Sequence, residues 1–251
     1  MLKLNKKTAV IIPIRMGSTR LPGKFHADID GKPMIYHVID RARESGFSNI
    51  FVACDHEEHF KLITDYKAKA ILTSIDHQSG SDRSYEALCY IDPDSEFEYI
   101  VNLQGDMPFF DPEVIARSVT KLAEDISADI ATVVVPLDDE EDINNPNAVK
   151  VVFNRNHHAL YFSRHAIPYP NPKTKNDYYY HVGIYAYKRD SLAKYVNLPQ
   201  SPLEISEKLE QLRALENGMT ICVDIANNIP ISVDTPEDLE YAREYVKRTT
   251  F

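Results

Sequence analysis

Cysteine is scarce in this chain. Cys54, Cys89 and Cys222 are the only three in 251 residues, they lie far apart, and no C-x-x-C pair occurs. An odd, scattered set builds no disulfide framework and fits a reducing, cytoplasmic setting. Long apolar runs are missing too. The run that follows the polar start MLKLNKK is broken at Pro13, too short for a signal peptide or a membrane span, and no later stretch is long enough. Positive charge is in deficit: 28 Lys and Arg against 38 Asp and Glu give a formal net charge of -10. Phosphate backbones and anionic membranes attract clustered Lys and Arg, so neither nucleic acid nor a membrane surface is expected as a partner. There are no internal repeats and no low-complexity segments.

What is present is ordinary for a core-forming globular chain, with 43% hydrophobic and 26% charged residues. TAVIIPI (8–14) has the short, β-branched composition of a buried strand. Further strands are expected at 49–55, 70–74, 99–106 and 129–137, and helices at 33–45, 57–68, 85–91 and 112–125, the last with Asp111 as N-cap and Pro112 at its first position. Strands alternating with helices predict a Rossmann-like, mostly parallel α/β sheet flanked by helices. After about residue 147 the pattern changes. AVKVVFNRNHHALYFSR predicts two strands around a turn at Asn154–Asn156, and HVGIYAYKRDSLAKYV a strand running into a helix. Residues 201–218 read as one helix stopped by Gly218, MTICVDI as a strand, and 235–248 as a closing helix capped by Thr235 with Asp238 three residues on. The expected organisation is one domain over 1–251 with a small antiparallel insertion at about 150–190.

The most informative stretch is AVIIPIRMGSTRLPGK (9–24), a buried strand that stops at a loop carrying Arg15, Arg20 and Lys24. In a parallel sheet, ligands gather at the carboxyl ends of strands. A Walker loop is excluded twice: five residues rather than four separate Gly17 from Gly23, and Phe25 follows Lys24 where Ser or Thr is required. The dinucleotide pattern G-x-G-x-x-G is absent. A basic loop on an acidic protein suits a small anionic ligand such as a triphosphate; the competing reading is a solvated loop. Asp106 follows Gln104 and Gly105 where the strand at 99–106 is expected to end, and a carboxylate there can serve as a Mg²⁺ ligand or simply shape a turn. CDHEEH (54–59) gathers Cys54, Asp55, His56 and His59 without a zinc-site spacing. The two histidines are expected at the exposed start of a helix capped by Asp55.

The segment IPIRMGSTRLPGKFHADIDGKPMIYHVIDRA resembles the opening signature of the sugar-activating cytidylyltransferases, above all the CMP-Kdo synthetases (3-deoxy-manno-octulosonate cytidylyltransferases). The likeness continues, in order, through SGSDR (79–83), VNLQGDMPFFDPEVI (101–115), YFSRHAIPYP (161–170), HVGIYAYKRDSL (181–192), SPLEISEKLEQLRALENG (201–218) and VDTPEDLE (233–240). The resemblance implies a nucleotide-diphospho-sugar transferase fold and a reaction for lipopolysaccharide biosynthesis in which CTP and Kdo, a 2-keto-3-deoxy sugar acid, give CMP-Kdo and pyrophosphate. It implies Mg²⁺ shared by Asp106 and Asp234, with Arg15 and Lys24 on the phosphates. Ser79, Gly80, Arg83 and Gln104 would serve the nucleotide, and Gln104, Arg164, His181, Tyr185, Glu210 and Gln211 the sugar. Each has a plain structural reading beside it: Asp234 can shape a turn, Arg83 can be a salt-bridged loop arginine, Tyr185 can be core, His181 can fill a crevice, and Glu210 and Gln211 can be solvated. The resemblance also implies a homodimer formed through the insertion.

Three departures bear on the acceptor. Met107 stands where Glu is usual, Ser232 where Gly is usual, and YPNPKTKNDYYYHVG (169–183) is atypical. They admit 8-amino-Kdo as the acceptor, with Asp177 as a candidate partner for its amine. Two rival functions are a CMP-sialic acid synthetase, whose acceptor is also a 2-keto acid, and a sensor that binds CTP without catalysis.

Overall fold

The computed structural model describes residues 2–18, 20–171 and 177–249. They form two compact units, Met1–Ala116 with Pro230–Phe251, and Arg117–Ile229. Thr19 of the cationic loop and residues 172–176 of the atypical stretch lie outside the described residues.

The first unit opens with a short helix, α1 (Leu2–Lys6), then β1 (Thr8–Ile14), a small antiparallel hairpin of β2 (Asp28–Ile29) and β3 (Lys32–Pro33), and α2 (Met34–Glu44). It continues through β4 (Ile50–Cys54), α3 (Glu57–Asp65), β5 (Lys69–Leu72), α4 (Gly80–Ile91) and β6 (Tyr99–Asn102). Its strands run in the order β6-β1-β4-β5, all parallel, with Val10 opposite both Ile50 and Val101. β1 is buried along its whole length except at Pro13, as a central parallel strand covered on both faces must be. α2 turns Met34, Ile35, Val38, Ile39 and Ala42 inward. Two expected boundaries move. α4 starts at Gly80 rather than 85, because Ser79 caps it: its Oγ accepts the Asp82 N–H at 3.1 Å. Its buried face begins with Ser81, Arg83 and Ser84, so polar residues hide the helical period. β6 ends at Asn102, which places Asp106 in the following turn rather than on the strand.

α5 (Glu113–Glu124) follows, with the Asp111 carboxylate accepting the Glu113 N–H at 3.0 Å, as its N-cap role requires. The second unit then contains β7 (Ile130–Leu137), α6 (Glu140–Asn144), β8 (Lys150–Phe153), β9 (Ala159–Ser163), β10 (Tyr178–Lys188), α7 (Arg189–Val196), α8 (Pro202–Glu207), α9 (Leu212–Glu216) and β11 (Ile221–Ile225). β10 pairs antiparallel with β7 and β8, β8 antiparallel with β9, and β11 parallel with β7. The turn between β8 and β9 is closed by Asn154, whose Oδ1 accepts the N–H groups of Asn156 and His158, with His157 at φ 61.

The single helix expected over 201–218 is two helices. Lys208 adopts a left-handed conformation at φ 55 and turns the chain. The reason lies in Arg213, which reaches back to Glu204 through Nε–Oε2 at 2.8 Å and Nη2–Oε1 at 2.5 Å. On one continuous helix the two Cα atoms would stand about 13 Å apart along the axis. α10 (Pro236–Thr249) closes the first unit with a reciprocal cap: Thr235 Oγ1 accepts the Asp238 N–H, and Asp238 Oδ2 accepts the Thr235 N–H. No helix among the described residues is long and apolar enough to cross a membrane.

Candidate active site

The first unit holds a cavity of about 360 Å³ at the carboxyl ends of its strands. One wall is the loop after β1, with Arg15, Gly17, Ser18, Arg20 and Lys24. A second is the run His77–Gly80 together with Arg83 of α4, and the third is Gln104–Asp106 with Asp234. The N-terminus of α4 lies in the lining, and the positive end of its helix dipole favours an anion.

At one end of the cavity two acids far apart in sequence meet on one cation. Lys24 Nζ donates to Asp106 Oδ2 and to Asp234 Oδ1, each at 2.9 Å. Arg20 Nη2 adds a contact of 3.0 Å to Asp234 Oδ2. Lys24 is 6% exposed, and a lysine is rarely buried without such partners. Burial alone would raise the Asp234 carboxyl; the hydrogen bond from Lys24 and the charges of Lys24 and Arg20 overcome it and hold the group below its usual range. Gly105 is what lets this turn pack: a Cβ there would lie 2.5 Å from Ile14 Cγ2 and 3.1 Å from Phe25. Gly80 is similarly close to Pro13, at 3.2 Å.

Asp106 and Asp234 suit a hard divalent cation. Both offer carboxylate oxygens, both border the cavity, and a positive charge already sits between them. Two carboxylates completed by substrate phosphate oxygens form a usual Mg²⁺ donor set. Among the described residues there is no group of three or more His, Cys, Asp or Glu that could hold a metal, and the residues of CDHEEH have other neighbours. The expected exposure of His59 is corrected: it is 1% exposed, stacked on His26 and edge-on to Phe25. The expected Asp55 cap is corrected as well. His56 is the N-cap of α3 with no side-chain cap bond, while Asp55 accepts the Met16 N–H.

Arg83 lines the cavity but is 2% exposed. Its guanidinium donates to Thr73 Oγ1 at 2.7 Å and Ser74 O at 3.1 Å and pairs with Asp55 at 3.5 Å. Sequence names Arg20 only as one charge of the cationic loop and does not single out His77 and Gln78 as site residues. A signal for the last two exists in the polar run DHQSG soon after β5. Glu86 anchors this run, accepting the Ser74 N–H at 2.9 Å and contacting the His77 ring.

The expected sugar residues other than Gln104 lie in the second unit. His181 Nε2 stands 2.9 Å from Thr132 Oγ1, whose own proton goes to Ile184 O at 2.7 Å. His181 must therefore donate from Nε2, leaving Nδ1 as an acceptor. Burial lowers its pKa to about 3, so the ring is neutral at physiological pH. Tyr185 packs against His181 at 5.3 Å, and burial, then Tyr187 and Glu210, push its phenol up. Gln211 is 6% exposed and its Nε2 has no hydrogen-bond partner among the described residues. Arg164 has different neighbours: its guanidinium donates to the carbonyls of Glu207, Pro146 and Lys208 at 2.7, 2.9 and 3.3 Å.

A family model described as cytidylyltransferase matches residues 9–221 of this sequence. The chain belongs to the cytidylyltransferase family. It is 50% identical over 244 residues to the 3-deoxy-manno-octulosonate cytidylyltransferase of Brucella canis, covering 95% of each chain. Among solved structures it is similar to CMP:2-keto-3-deoxy-manno-octonic acid synthetase complexed with CTP, with a TM-score of 0.90, 40% identity, and 96% of this chain and 99% of that one covered. A cytidylyltransferase from Leptospira borgpetersenii, 18% identical, has a TM-score of 0.63 over 96% of this chain and 87% of its own, and shares the fold. The α/β architecture and the nucleotidyltransferase class expected from sequence are those of the family.

Proposed function

We propose that this chain transfers the cytidylyl group of CTP to 3-deoxy-manno-octulosonate, releasing pyrophosphate. The observation that carries the reading is the convergence of Lys24, Arg20, Asp106 and Asp234 at one end of the cavity, in a chain half identical to enzymes so named. The anomeric hydroxyl of the sugar attacks the α-phosphorus, and the β- and γ-phosphates leave in line. Such chemistry needs positioning and charge neutralisation more than a side-chain nucleophile. Arg15 and Lys24 hold the phosphates, with Arg20 beside them. Asp106 and Asp234 would hold Mg²⁺, which would supply charge neutralisation at the α-phosphate and polarise the attacking oxygen. Ser79, Gly80 and Arg83 form the nucleotide wall, where the α4 N-terminus favours negative charge. Gln104 bridges nucleotide and sugar.

On the sugar side, His181 is neutral and offers Nδ1 as an acceptor for a hydroxyl. Gln211 offers amide donors, Tyr185 and Glu210 a polar wall, and Arg164 a fork matched to the sugar carboxylate. The protein acts in the cytoplasm as a homodimer joined through the 150–190 region, where Leu160 and Tyr169 are exposed.

The deciding assay is pyrophosphate release with CTP, Kdo and Mg²⁺ supplied together and each omitted in turn. Dependence on all three is expected. CTP binding without turnover would instead indicate a sensor. The same assay with 8-amino-Kdo and with sialic acid identifies the acceptor, and a preference for either over Kdo overturns the substrate proposed.

A further inference from the structure

Asp55, drawn by sequence into an apparent metal cluster, has another task. It follows the last residue of β4, and its side chain is 5% exposed. Its Oδ1 and Oδ2 lie 3.0 and 3.2 Å from the Met16 N–H, at the point where β1 opens into the cationic loop. Oδ2 also stands 3.5 Å from Arg83 Nη2. A buried carboxylate is costly unless it is paired. His59 Nδ1 lies 3.8 Å from Oδ1, and the two closer partners adjoin the cavity: Met16 follows Arg15, and Arg83 lines the wall itself. The Arg83 guanidinium is completed by Thr73 Oγ1 and Ser74 O, from the segment after β5. One carboxylate, itself outside the cavity lining, thus joins the loop after β1, α4 and the segment after β5.

We infer that Asp55 is a positioning residue for nucleotide binding: it sets the first turn of the cationic loop and the Arg83 side chain against each other. This rests on the reading that the cavity receives CTP. Asp55→Asn keeps an oxygen for the Met16 N–H but removes the charge facing Arg83. Calorimetric titration of the intact protein with CTP, without sugar, reads the effect directly, and steady-state kinetics reads its distribution. Asp55→Asn is expected to weaken CTP binding about tenfold, the scale of one lost charge-assisted contact. The KM for the sugar acid should stay near wild type, while the thermal midpoint should fall, because Arg83, whose side chain is 3% exposed, loses a buried counter-charge. Unchanged CTP affinity overturns the inference. So does a fall in midpoint that raises both KM values together, because that is the mark of a general structural role. Should Asp55→Asn fail to fold, Thr73→Val carries the test by removing another Arg83 partner; it should weaken CTP binding while leaving the sugar KM alone, and wild-type affinity there overturns the inference. If the wild-type protein itself takes up no CTP, the nucleotide reading fails first, and the inference falls with it.

Discussion

Replacing Lys24 by Met tests the centre of the site at nearly constant side-chain volume. The substitution removes one ammonium and two hydrogen bonds of 2.9 Å, leaving Asp106 and Asp234 without their shared cation and Asp234 still paired with Arg20. The lysine side chain is 7% exposed, but the carboxylates are 28% and 40% exposed. Breaking a fully buried pair costs about 3–5 kcal/mol, and an exposed pair is worth about 0–1 kcal/mol. With one buried and two half-buried partners, the expected loss is about 2–3 kcal/mol, or about 5–10 °C in thermal midpoint for a chain of this size. The assay is thermal unfolding in EDTA and again with excess Mg²⁺. Two carboxylates freed of their lysine should bind the divalent cation more readily, so Mg²⁺ should stabilise the variant more than wild type. The pH dependence has a definite sign. Asp234 is held below its ordinary range by Lys24 and Arg20 against the upward push of burial. Such a carboxyl stabilises the fold above its unfolded pKa and gives that up as pH falls through its folded value. The gap between wild type and variant should be full at neutral pH and close below about pH 4. An unchanged midpoint in EDTA, with no larger response to Mg²⁺, would refute the idea that this cation organises the two acids.

Asp106→Ala and Asp234→Ala should each lower turnover by at least about a hundredfold in the pyrophosphate-release assay; wild-type rates in either would contradict the proposed metal ligands. Gly105→Ala should cost about 1–3 kcal/mol by urea unfolding, since its Cβ would stand 2.5 Å from Ile14 Cγ2, and should lower kcat by shifting the adjoining Asp106. Arg213→Met should cost about 3–5 kcal/mol in the same measurement, because it strands Glu204, whose side chain is 7% exposed.

Much of the fold is legible in the sequence because its signals are local. TAVIIPI, IFVAC and IATVVVPL are short, β-branched and largely buried, and the Asp111 and Thr235 caps are visible as spacings. What escapes depends on charged residues going inside. α4 begins five residues early because its inner face opens with Ser81, Arg83 and Ser84, and periodicity counts only apolar positions as buried. The break at Lys208 is invisible for the same reason: Glu204 and Arg213 look solvated until the chain folds back and pairs them.

The site divides along the same line. The cationic loop can be found from Arg15, Arg20 and Lys24 standing after a buried strand, and a Walker loop can be removed by counting. The meeting of Asp106 and Asp234 cannot, because nothing in residue spacing brings the turn after β6 beside the start of α10. Family resemblance implies the pair, and the structure gives it a physical basis in the lysine both acids share. Asp55 is the opposite case. Its neighbours Cys54, His56 and His59 supply a metal-like composition, yet its two oxygens face a backbone N–H and a guanidinium from distant segments. A carboxylate in a string of metal-ligand types is therefore best judged by which charges and donors the fold leaves for it. At β4 the fold leaves the cationic loop and Arg83, so its effect should be sought in CTP affinity rather than in metal binding.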